Sequence, residues 1–125
     1  MNATITSSTI SSLSDDELTV YLILRGRKGL ENAITTERIA KMTGFTERMI
    51  RRVIKKLIEE IGVPIAASNR APFGYYYPTR RKEILEYRAT LVHRISSLAR
   101  RLRAYDRVTA RAVQQALDLF DEVRL

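Results

Sequence analysis

The chain has 125 residues, 45% of them hydrophobic, with 22 Lys or Arg against 14 Asp or Glu, a net charge of +8 and a pI of about 10.2. That is enough apolar material for one compact core with an appended element, which excludes a disordered chain, and the excess of positive charge favours an anionic partner. Cysteine is absent, which excludes disulfides and thiolate metal sites and points to the cytoplasm, and no apolar run reaches the ~18 residues of a membrane span.

Residues 1–13 are Ser/Thr-rich and read as a flexible N-terminus; they lack the basic start and apolar core of a signal peptide. Ser14-Asp15-Asp16-Glu17 then announces a helix. It is a capping box, in which the serine covers one free amide and Glu17 reaches back to another, while the acids favour the positive end of the helix dipole. Leu18, Tyr21, Leu22 and Arg25 are expected on one face, with Gly26 ending the helix. A loop follows around Gly29, and residues 32–34 are a short extended piece leading into a cap at Thr35.

Residues 35–56, TTERIAKMTGFTERMIRRVIKK, predict two helices separated by a tight turn. Ala40 is small enough for close passage of the second helix. Gly44 ends the first helix in a left-handed conformation, and Thr46 caps the second. Ile39, Ile50 and Val53 form the seam between them, extended by Leu57. Residues 25–56 carry ten bases against three acids, a balance of +7, whereas residues 1–24 carry three acids and no base. Such a run also serves simply to solvate a helix face, but the turn chemistry in front of it favours DNA. The candidate contacts are Thr35, Thr36, Thr46, Glu47, Arg48, Arg51, Arg52, Lys55 and Lys56. Arg48, Arg51 and Arg52 suit paired donation to guanine, and Lys55 and Lys56 suit phosphate. Glu47 has two expected uses, accepting from cytosine or pairing with Arg51 one turn on.

Residues 62–78, GVPIAASNRAPFGYYYP, break the helical period and predict a hairpin, with strands at 63–68 and 75–77 and Ile34 as a third short edge. A hairpin directly after such a helix is a wing. Arg70, near its tip, is either a minor-groove contact or a solvated loop base. The three tyrosines invite stacking on bases, but strand alternation points Tyr75 and Tyr77 to the core.

From Thr79 the chain is helical again. Arg80, Arg81 and Lys82 oppose the dipole in the first turn, a conflict that a phosphate, or for Lys82 the carboxylate of Glu86, would relieve. Ile84, Leu91, Leu98 and Tyr105 recur every seven residues, with Ile95 and Leu102 at the second apolar position and Arg88 as the exception. This is a coiled-coil seam, and Ile84, Leu91, Ile95, Leu98, Leu102 and Tyr105 are the candidate dimerisation contacts; Leu85, Val92 and Ala99 widen the stripe to suit more than one neighbour, and folding back on its own domain would satisfy it as well as pairing between chains. A break is expected near Asp106, followed by a last helix with Val113, Ala116, Leu117, Phe120 and Val123 on one face.

The sequence shows no catalytic triad, phosphate loop or zinc motif, and its single histidine, His93, stands alone. No cofactor, metal, membrane or small-molecule substrate is implied.

Ile34-Thr35-Thr36-Glu37-Arg38-Ile39-Ala40, the run from Thr46 to Leu57, and the hairpin close Gly74-Tyr75-Tyr76-Tyr77 resemble the winged helix-turn-helix of biotin-repressor-type regulators and small phage proteins. The resemblance covers residues 14–78. It implies duplex DNA binding by the second helix with the wing on flanking backbone. No ligase or ligand domain follows, so no biotin function is implied. The expected fold is therefore mainly α with a small β-hairpin wing, followed by helices that dimerise over residues 79–125. The expected function is a sequence-specific double-stranded DNA-binding protein, a small homodimeric transcriptional regulator of bacterial or phage origin associated with the nucleoid. A homodimer would place its recognition helices on half-sites about one helical turn apart. The alternatives are a phage or plasmid replication or packaging factor, which would form larger rings, and a winged-helix protein-interaction module without DNA.

Overall fold

A computed structural model describes residues 10–123. The chain divides into two compact units between Tyr87 and Arg88. Of the N-terminus expected to be flexible, residues 1–13, residues 1–9 lie outside the described residues, while Ile10 and Leu13 pack half-buried against the core.

Helix α1 (Asp15–Arg25) starts on the expected capping box: Ser14 Oγ accepts from the Glu17 amide at 3.2 Å, and the Glu17 carboxylate accepts from the Ser14 amide at 2.9 Å. Its buried side differs from the expected one. Val20, Tyr21 and Leu24 are in the core and Leu22 is 55% exposed. The inner stripe repeats at three- and four-residue spacing through Val20, Tyr21 and Leu24, because α1 packs against both the basic helix and the hairpin. Gly26 closes α1 in right-handed geometry, and Gly29 (φ 86°) takes the left-handed turn into a 3-10 segment, Leu30–Asn32.

The two central helices are α2 (Thr36–Thr43) and α3 (Glu47–Lys56). Their turn chemistry is as expected. Thr35 and Thr46 accept from the amides of Arg38 and Met49, and Gly44 sits at φ 78° with its N–H on the Ala40 carbonyl. Ile39, Ile50 and Leu57 are fully buried and Val53 nearly so. Burial of four such side chains contributes about 1.5–3 kcal/mol each. A feature the sequence did not signal follows α3, whose last turn widens into a π-helical turn, Leu57–Ile61, closed by left-handed Gly62 (φ 86°).

The wing is the antiparallel pair β1 (Ala66–Ser68) and β2 (Gly74–Tyr76), in the register Ala66↔Tyr76, Ala67↔Tyr75, Ser68↔Gly74. It is shorter than the expected 63–68 pairing. Pro64 has no N–H, and the Ile65 amide turns back onto the Val63 carbonyl at 2.8 Å, so the ladder begins only at Ala66 while Val63 and Ile65 fill the core. Ile34 forms the third edge as a single bridge, exchanging bonds of 2.8 and 2.7 Å with Tyr75. Tyr77 leaves β2 to donate to the Arg27 carbonyl and accept from the Gly29 amide, at 2.7 and 2.9 Å. Tyr75 and Tyr77 pack half-buried on the core, but Tyr76, which alternation would turn outward, is the most buried of the three at 1% exposure.

The last helix, α4 (Arg81–Val123), begins in the first unit and supplies the described residues of the second. The expected break at Asp106 does not occur. Residues 81–123 contain neither Gly nor Pro, and Thr109 returns its hydroxyl to the Tyr105 carbonyl at 2.9 Å, so no backbone group is left to seek a new cap. The expected places of Phe120 and Val123 on the apolar face lie outside the described side chains. No helix of the described residues is long and apolar enough to cross a membrane.

Candidate nucleic-acid interface

The outward side of α3 follows from its inward side. Ile50, Val53 and Ile54 are buried, so the intervening Arg48, Arg51, Arg52 and Lys55 stand exposed, spaced three and four residues apart on one face. Arg48, Arg52 and Lys55 make no ion pair among the described residues. Three cations on successive turns, unmatched by carboxylates, form a row that phosphate or a base edge can approach.

Arg51 is held differently. Its guanidinium donates to Glu47 Oε1 at 3.2 Å and to Thr36 Oγ1 at 3.4 Å, while Thr36 donates to the same Glu47 oxygen at 2.8 Å. Of the two uses expected for Glu47, the structure displays the pairing with Arg51. Thr36 is buried at 8% exposure, so its hydroxyl ties the start of α2 to the start of α3 rather than facing outward. Thr35 and Thr46 are exposed, each with its hydroxyl oxygen committed to a helix cap.

Lys56 lies apart from the row. Its ammonium contacts Glu17 Oε2 on α1 at 2.8 Å. This hydrogen bond is the main reason the Glu17 carboxyl sits below its ordinary pKa and the Lys56 ammonium above its own; Ser14 lowers Glu17 further through its backbone amide. The pair lines an open cleft of about 640 Å³ together with Ser14, Arg52 and Lys55.

On the wing, Arg70 is exposed but its guanidinium donates to Glu86 Oε2 on α4 at 3.2 Å. Glu86 also lies 3.9 Å from Lys82, the intramolecular partner expected for that lysine. Arg80 pairs with Glu31 at 3.0 Å.

Residues 19–76 match a family model described as an HTH domain, from within α1 to the end of β2. Two helices joined by a capped turn are followed here by a two-stranded hairpin. The segment is a winged helix-turn-helix DNA-binding domain. No curated protein and no solved structure matches the chain. In this winged domain α3 is the second helix of the helix-turn-helix pair.

Two residues build the winged domain through contacts that the sequence did not specify. Glu83, 4% exposed, accepts from the amides of Leu30, Thr79 and Arg80 at 2.7, 3.0 and 3.1 Å. Burial pushes its pKa up, but the three amides outweigh that and hold the carboxyl below its ordinary value. Glu83 is the anion that relieves the basic first turn of α4, and it fastens the wing's exit to the 3-10 segment. An acid in the first turn of a helix was the available signal. Gly74 (φ 125°) is the other. A Cβ there would overlap the carbonyl group of Ile34, so only glycine allows β2 to lie against the edge that precedes α2.

Proposed function

We propose that the protein is a sequence-specific double-stranded DNA-binding regulator of transcription, of bacterial or phage origin, acting as a homodimer. The observation that carries this reading is the unpaired row Arg48, Arg52 and Lys55, set on a helix whose opposite side is locked into the core. Arg48 and Arg52 are the proposed base-readers. Arg51, pre-oriented by Glu47 and Thr36, reads a base or holds a phosphate beside them, and Lys55 neutralises phosphate. Thr35 and Thr46, at the caps of α2 and α3, offer helix N-termini to the sugar-phosphate backbone. Arg70 contacts flanking backbone once Glu86 releases it. Lys56, engaged by Glu17, adds long-range attraction.

The dimer reading is supported by the exposed apolar seam of α4, formed by Ile84, Leu91, Ile95, Leu98, Leu102 and Tyr105. A single helix in water draws most of its stability from packing an amphipathic face, so this seam calls for a cover.

The test is fluorescence anisotropy on random duplex DNA across a salt series, followed by selection of the preferred site. Binding should weaken steeply with salt, the logarithmic slope falling by about 0.9 for each phosphate contact. An Arg48→Ala/Arg52→Ala variant should lose about 1–3 kcal/mol per lost base contact on the selected site and retain weak, non-specific binding. Absence of binding by the wild-type chain at low salt would overturn the reading.

A further inference from the structure

The part of α4 beyond Tyr87 carries two features that bear on each other. One is the apolar seam: Ile95, Leu98, Leu102 and Tyr105 are 57–66% exposed, and Val113, Leu117 and Leu119 continue the apolar surface at 54–61%. The other is a lengthwise polarity of charge. Residues 88–111 hold seven arginines (Arg88, Arg94, Arg100, Arg101, Arg103, Arg107, Arg111) against one acid, Asp106. Residues 112–123 hold three acids (Asp118, Asp121, Glu122) and no base. A surface that is apolar along its length, basic in one part and acidic in the other is complementary to itself when reversed.

We propose that the occupant of this seam is the same helix of a second copy, running antiparallel. The proposal rests on the homodimer reading and specifies its geometry. Packed helices lie about 8–10 Å apart, close to the screening length of about 8 Å at physiological ionic strength, so charges across the seam are only partly screened. Parallel pairing sets each of the seven arginines beside its own copy and each acid beside an acid. Antiparallel pairing sets the acidic residues 112–123 of each chain along residues 88–99 of the other, where Arg88 and Arg94 stand, so that only the five arginines of residues 100–111 still face like charge about the axis, and it buries apolar residues against apolar residues. Full overlap of residues 88–123 centres the two-fold axis near Tyr105 and Asp106, as an isologous pair requires.

The absence of cysteine makes the arrangement directly measurable on the full-length chain, because one introduced cysteine is the only labelling site. Ser96 and Gln114 are exposed and lie almost equally far to either side of the proposed axis. Ser96→Cys and Gln114→Cys are each labelled with a nitroxide, and distances are read by pulsed electron paramagnetic resonance, with mass from light scattering in parallel. At 1.5 Å per residue the two positions are about 27 Å apart along the helix. In the antiparallel dimer, same-site pairs are separated by at least that distance, and mixing the two labelled proteins adds a new short distance. A dimer with short same-site distances overturns the antiparallel geometry and leaves the homodimer standing. A monomer at tens of micromolar, or a mass above two chains, overturns the homodimer itself.

Discussion

Replacing Glu83 by glutamine separates the carboxylate's charge from its shape. One oxygen of Glu83 accepts from Thr79 and Arg80 and the other from Leu30. Glutamine keeps a single acceptor oxygen and turns an NH2 group toward the remaining amide, so at least one backbone donor meets another donor. A hydrogen bond to a charged acceptor contributes about 1.5–3 kcal/mol, and an unmet buried donor costs about 1–3 kcal/mol. Because part of each group relaxes toward water, Glu83→Gln should destabilise the winged domain by about 2–3 kcal/mol at neutral pH. The readout is urea unfolding followed by tyrosine fluorescence, since the chain has six tyrosines and no tryptophan. With a slope near ~1 kcal/mol per molar urea, the midpoint falls by roughly 2 M. The pH dependence supplies an internal control. The native pKa of Glu83 lies below its ordinary value. Its contribution is therefore complete above about pH 4.3, the unfolded glutamate value, and is lost as pH falls through the native value. The gap between wild type and variant must narrow toward acid. Equal midpoints at neutral pH, or a gap unchanged in acid, would refute the assignment of Glu83 as a charged clamp.

Three further outcomes follow from the same geometry. Gly74→Ala combines a left-handed φ with overlap of the Ile34 carbonyl, so it should cost at least ~3 kcal/mol by calorimetry and abolish the Ile34–Tyr75 bridge in amide exchange. Glu17→Gln releases Lys56, so affinity for random duplex DNA should rise several-fold at low salt and the salt slope steepen by up to ~1; an unchanged slope would place Lys56 outside the DNA footprint. Glu47→Ala frees the Arg51 guanidinium and the Thr36 hydroxyl together. It should lower the selected-to-random affinity ratio while leaving random-DNA affinity within about two-fold, as expected when a positioning group rather than a phosphate contact is lost. An unchanged ratio would dissociate Glu47 from recognition.

Much of the winged domain was legible because its signals are local. A capping box, two threonine caps, a left-handed glycine and the spacing of Ile39, Ile50, Val53 and Leu57 each act within a few residues of chain, so the string of letters already contains the physics. The cationic face of α3 was legible for the same reason: once the apolar positions are known to face inward, helical period places the rest. Strand length was less so, because it turned on the hydrogen-bond need of Ile65 beside Pro64.

What tertiary structure alone decided is which charges remain free. Arg48 and Lys56 read alike in sequence, as exposed bases on one short helix, yet Lys56 meets Glu17, 39 positions earlier, while Arg48 meets no carboxylate among the described residues. Arg70 meets Glu86, and Glu83 meets an amide 53 residues away. Such pairings depend on distances between chain segments brought together by the core, and a Coulomb or hydrogen-bond contact falls away within a few ångströms. The sequence by itself determined a winged helix-turn-helix with one basic helix; the packing of α1, the wing and the start of α4 around it selected which of its cations are held by carboxylates.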